Sequence, residues 1–204
     1  MAVPLIAACS LGEGEGQVES DALFVQDCLN GGPFRLDPTF FGAQPFMRTV
    51  TLRIQHGGDT EEVSDGLQVL IDNIDQVRSA ISAQGGSADF RVALQPSVVP
   101  PGYPVVIDSD PAIVHAALYL HRACHAQNAA LYALSGTMTF HSLFDNDVNE
   151  SDSAQKLNWA EFTDIQVGDP RDRDPGSTTV LNQTALRGNF KFYFQRGQPA
   201  QPFP

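Results

Sequence analysis

Ile113-Val114-His115-Ala116-Ala117-Leu118-Tyr119-Leu120-His121 is the stretch on which the fold turns, because two periodicities fit it. Asp110-Pro111 ahead of it makes a good helix N-cap and first helical position, and its alanines favour a helix. Yet Val114, Ala116, Leu118 and Leu120 alternate with His115, Ala117, Tyr119 and His121. Beyond His125-Ala126-Gln127-Asn128, period two resumes at Tyr132, Leu134, Met138 and Phe140. It continues across Gly136, where a helix would end. The stretch from Ile113 to Phe144 therefore reads as a long β-hairpin.

Val50 to Gln55 also alternates cleanly, with Val50, Leu52 and Ile54 on one face and Thr51, Arg53 and Gln55 on the other. Leu67–Ile71, Phe90–Leu94 and Trp159–Val167 read as further strands, and Ser64-Asp65-Gly66 as a turn. Phe190, Phe192 and Phe194 share one face of a closing strand. Ile74, Val77, Ala80 and Ile81 fit helical spacing, so a short helix is expected within Asp72–Ile81. A first strand is expected over Glu19–Cys28, broken by Asn30-Gly31-Gly32-Pro33. Phe34 to Phe46 sets aromatic residues among two prolines and a glycine, and reads as an irregular plug at the core's end, or as an aromatic ligand shelf. Pro96 to Pro104 reads as an extended crossing. The class expected is all-β: a predominantly antiparallel β-sandwich with at most one or two short helices.

A net charge of −12 over 204 residues argues against nucleic acid, whose affinity rests on cations neutralising phosphates. It also disfavours a polybasic route to anionic lipid. No run of about 18 apolar residues is present to span a membrane as a helix.

Leu5-Ile6-Ala7-Ala8-Cys9-Ser10 reads as a bacterial lipobox: an aliphatic residue, two small residues, then the cysteine that would carry lipid. No basic residue precedes it and the apolar run is short, so a chance Ala-Ala-Cys at an ordinary N-terminus competes. On the lipobox reading, residues 1–8 are the remnant of a signal peptide and residues 9–17 the lipidated anchor and its flexible Gly/Glu spacer. Residues 18–204 are then a single β-sandwich domain. Of the three cysteines, a lipidated Cys9 leaves Cys28 and Cys124 as one pair, which an oxidising compartment would join in a disulfide. Two buried free thiols in a cytosolic protein is the competing reading.

The lipobox, Leu52-Arg53-Ile54-Gln55, Ser64-Asp65-Gly66, Leu118-Tyr119-Leu120-His121-Arg122-Ala123-Cys124 and Phe192-Tyr193-Phe194-Gln195-Arg196-Gly197-Gln198-Pro199 resemble uncharacterised myxobacterial lipoproteins over most of the chain. The resemblance implies export and brings no activity with it. Resemblance to bacterial lipoproteins also implies an outer-membrane address, since Ser10 after the cysteine is no inner-membrane retention signal.

Asp145-Asn146-Asp147-Val148-Asn149 fits the D-x-D-x-N opening of a calcium loop, in which alternate oxygens turn toward a hard cation. Glu150 or Asp152 would complete the shell. The stretch departs from an EF-hand at Glu150 and Lys156, and a solvated acidic loop is the other reading. His115, His121, His125 and His141 match no zinc spacing, and a straight strand would hold His115 and His121 roughly 20 Å apart. No nucleophile elbow, P-loop or dinucleotide fingerprint occurs, so no catalytic residue is nominated. The function expected is a lipid-anchored binding or structural module of the cell envelope, membrane-held through Cys9, with an envelope protein or glycan as partner. Its rival is an envelope hydrolase with a carboxylate/histidine site that spacing does not single out.

Overall fold

A computed structural model describes residues 14–57, 64–94, 112–124, 126, 128–145, 147, 152–173 and 179–194. Within them run β1 (Gly14–Val25), β2 (Leu29–Leu36), β3 (Phe40–Phe46), β4 (Thr49–Gln55), β5 (Asp65–Ile71), α1 (Ile74–Ala83) and β6 (Ala88–Arg91). There follow β7 (Val114–Leu120), β8 (Ala129–Ser135), β9 (Thr137–Ser142), β10 (Leu157–Gly168) and β11 (Thr184–Tyr193). The hairpin reading of the deciding stretch holds: β7 and β8 pair antiparallel from Leu120↔Ala129 to Ala117↔Tyr132. The fold is mostly antiparallel β-strand with one short helix.

All the strands join one hydrogen-bonded sheet in the order β2-β1-β11-β10-β8-β7-β5-β4-β3, with β9 pairing β10 and β6. β8 and β9 behave as one strand bent at Gly136, and β10 pairs with both, from Trp159↔Ser142 to Gly168↔Tyr132. At the bend Gly136 has φ +130°, a conformation open to glycine. A β-carbon there would lie 2.7 Å from the Asp164 carbonyl oxygen. β10 shifts register against β11 at the same level, between Phe162 and Ile165, so both strands turn together. On its other side the bent strand meets β7 before the bend and β6 after it.

Chemistry at each element explains its place. Asn73 caps α1 by accepting the Gln76 N–H, Asp75 sits in the first turn, and Ile74 and Val77 point into the core. Along β4, β5 and β7, Val50, Leu52, Ile54, Leu67, Val69, Ile71, Val114, Ala116 and Leu118 are buried in one core with Phe140, Phe162, Phe190 and Phe192. Phe144 stacks on Phe194 at 4.6 Å, and Phe41 of β3 meets Phe192 of β11 at 5.5 Å.

Several sequence expectations change. The flexible spacer was expected to reach Gln17, but Gly14–Gln17 begin β1 and pair with Phe192–Asn189. Its glycines serve closeness: a β-carbon on Gly14 would strike Phe192 and Phe41, and one on Gly16 the Asn189 carbonyl. The aromatic segment 34–46 ends β2 and forms β3 on either side of residues 37–39, and the Asn30–Pro33 break lies inside β2. β2 and β3 are the two ends of the strand order, and an edge strand tolerates a proline because its outer N–H has no partner to lose. Ser64-Asp65-Gly66 leads into β5 instead of a turn, Cys28 sits in a turn past β1, and His121 in the turn after β7. The proline-rich crossing and the C-terminal tail lie outside the described residues.

Candidate functional site

Cys28 and Cys124 are joined by a disulfide, Cα to Cα 5.8 Å, linking the turn after β1 to the turn after β7. The second turn is held from below. Asp65 Oδ1 accepts the N–H groups of Arg122 at 2.8 Å and Ala123 at 3.0 Å, and Cys124 N donates to the Leu120 carbonyl. A carboxylate receiving two backbone donors is a strong, charge-assisted arrangement. Thus the Ser64-Asp65-Gly66 signal marks the residue that fixes the cysteine's turn. Cys9 lies outside the described residues.

The calcium residues are divided. Asp145 and Asp147 are described and Asn149 is not. Asp145 Oδ1 accepts the Asp147 N–H at 3.0 Å, and its Oδ2 lies 3.5 Å from the Arg78 guanidinium of α1. Arg78 also donates to Gln155 Oε1 at 3.4 Å. A cation at Asp145 would face this guanidinium. Among the described residues, no three His, Cys, Asp or Glu side chains come together in a way that holds a metal ion.

Each described histidine of the four has its own surroundings. His115 is buried, its Nδ1 2.8 Å from the Ala93 carbonyl and its Nε2 3.2 Å from Asp72 Oδ2. The ring thus bridges β7 to the segments just past β6 and β5. His121 packs against Tyr119, ring centres 5.6 Å apart. His141 lies against Trp159 at 4.3 Å, with Glu161 Oε1 3.3 Å from its Nε2. His125 lies outside the described residues.

The second face of β4–β5–β7 is polar and yet buried, which pattern reading did not anticipate. Arg53, Gln55 and Gln68 are each 5% exposed or less. Tyr119 Oη donates to Gln55 Oε1 at 3.0 Å, and Gln55 Nε2 donates to the Gly57 carbonyl at 2.8 Å. Gly66 makes room: a β-carbon there would overlap the Tyr119 ring and hydroxyl. Buried polar groups cost stability unless hydrogen-bonded, and here Tyr119, Gln55 and the Gly57 carbonyl satisfy one another in a short chain. Pairing places Gly66 beside Tyr119 and Gln55 through two different strands, a proximity no single segment of sequence displays.

Two further features are exposed. On the sheet surface the Trp159 ring contacts His141 of β9 and carries Lys191 Nζ of β11 4.7 Å from its centre. Neighbours on both flanking strands therefore take up the ring, and it is no open stacking platform. At the β3–β4 turn, Phe46 and Met47 stand out in solvent. A plug at the core's end would have covered Phe46, whereas its ring is two-thirds exposed.

No family model, no curated protein and no solved structure matches the chain.

Proposed function

We propose that the chain is a lipid-anchored, non-enzymatic module of the bacterial cell envelope, held to the outer membrane through Cys9 and acting by binding or presenting an envelope protein or glycan. The Cys28–Cys124 disulfide carries the reading. A disulfide persists in an oxidising compartment, which supports an address outside the cytosol. With those two sulfurs bonded, Cys9 is the third cysteine of the chain and stands within the lipobox pattern Leu5–Cys9. The net charge of −12 suits solubility in a crowded envelope. We read the sheet as folded over into two layers at the Gly136 bend, a sandwich with its core between them. The Phe41–Phe192 contact between β3 and β11 supports this.

Metabolic labelling with a fatty-acid analogue tests the anchor. The expressed chain should incorporate label and sediment with membranes, and Cys9→Ser should abolish both. Label-free, freely soluble wild-type protein overturns the proposal. Hydrolysis of envelope glycan or peptide by the purified domain would favour the enzyme instead.

A further inference from the structure

Phe46 and Met47 are 67% and 78% exposed, the most exposed of the large hydrophobic side chains among the described residues, and they are consecutive. β3 and β4 pair as far as Phe46↔Thr49, so Met47 and Arg48 alone form the tip of the hairpin. Met47 has φ +54°. The first position of a two-residue turn with positive φ belongs by default to glycine, because a β-carbon is crowded there. The tip is also held firmly. Thr49 Oγ1 donates to the Phe46 carbonyl at 2.8 Å, and Ile74 N at the start of α1 donates to the Arg48 carbonyl at 2.9 Å. Met47 thus combines a positive φ with an apolar side chain largely in solvent.

We propose that Phe46 and Met47 form a membrane-contact tip that enters the interfacial layer of a zwitterionic phospholipid surface. The proposal rests on the anchor reading for the nearness of that surface. Cys9 precedes Gly14 by five residues, a reach of up to about 18 Å. A β-carbon on Gly14 would touch the Phe41 ring, near the start of β3, and Phe46 lies five residues further along that strand, about 17 Å away. Anchor and tip therefore reach one surface when β3 lies along it. A single tether leaves the domain free to rotate, and this second contact fixes which face it presents. Charge selects the kind of lipid. The chain is strongly acidic, and Arg48 at the tip lies 4.0 Å from Asp75, so headgroup attraction is weak and apolar insertion does the binding. Methionine's flexible, polarizable chain suits an irregular acyl boundary.

The test uses the full chain with Cys9, its one cysteine outside the disulfide, coupled to a maleimide lipid in phosphatidylcholine vesicles. Phe46→Trp reports the tip, Leu181→Trp reports another exposed apolar site, and the wild-type chain gives the Trp159 background. The tip tryptophan should shift to the blue, be quenched several-fold more by brominated lipid than the Leu181→Trp reporter, and be shielded from acrylamide. Adding Met47→Gly should lower that quenching at least twofold while raising the melting temperature. A tip tryptophan that stays in water, or equal quenching at both positions, overturns the proposal; the former would direct the search to a protein pocket. Because the tether is chemical, the outcome is independent of whether cells lipidate Cys9. Failure of the tip and failure of the anchor are read separately.

Discussion

At the scale of single residues, the fold is decided by what approaches from elsewhere in the chain. Gly136→Ala would force a β-carbon into the left-handed region and against the Asp164 carbonyl. We expect a loss of about 2–4 kcal/mol in urea denaturation, from backbone strain plus the shift of β10. Tyr119→Phe removes a hydroxyl whose partner, Gln55 Oε1, is fully buried, and should cost about 1–3 kcal/mol by the same measurement. Gly14 and Gly16 show why such roles stay hidden. In the sequence they look like a linker, because glycine is all that composition reveals. Their purpose is set by Phe192 and Asn189, more than a hundred residues away.

At the scale of elements, periodicity was legible wherever the pattern is local. Val114–Leu120 and Thr49–Gln55 announce themselves by alternation, and the spacing of Ile74, Val77, Ala80 and Ile81 announces α1. β2 and β3 do not, since glycines and prolines interrupt them and only their place at the ends of the sheet makes this tolerable. Across β2, β1 and β11 the exposed charges Asp37, Arg35, Glu19, Arg187 and Asp21 alternate as a ladder. The Arg187 hydrogen bond and charge hold the Asp21 carboxyl below the usual carboxylate range, and Arg35 does the same for Asp37. Their folded pKa values are depressed, so this contribution is present above the unfolded carboxylate range. It disappears as pH falls through the lower folded values. Arg187→Gln should therefore flatten the dependence of the urea midpoint on pH below about 4 relative to wild type. Added salt should shrink the difference, because the groups are at the surface. An unchanged slope would show that the ladder does not contribute.

At the scale of the molecule, the disulfide ties the end of β1 to the end of β7 across a sequence separation of 96. The cysteine count made this pair legible; Asp65's grip on the turn was not, because it depends on β5 lying beside β7. Replacing both cysteines by serine removes a closed loop worth up to about 4–5 kcal/mol of chain entropy, and the melting temperature should fall accordingly. The candidate site was less legible than the fold. The buried layer of Gln55, Gln68 and Tyr119 and the exposed Phe46–Met47 tip each arise from the pairing of strands, and their residue types alone mark neither. We propose that the domain is exported, stapled and anchored. The most direct test is the intact mass of the protein from the cells that make it, before and after reduction with alkylation. We predict a chain beginning at an acylated Cys9, with two thiols becoming reactive only on reduction. An unprocessed chain with three thiols reactive without reductant would contradict it.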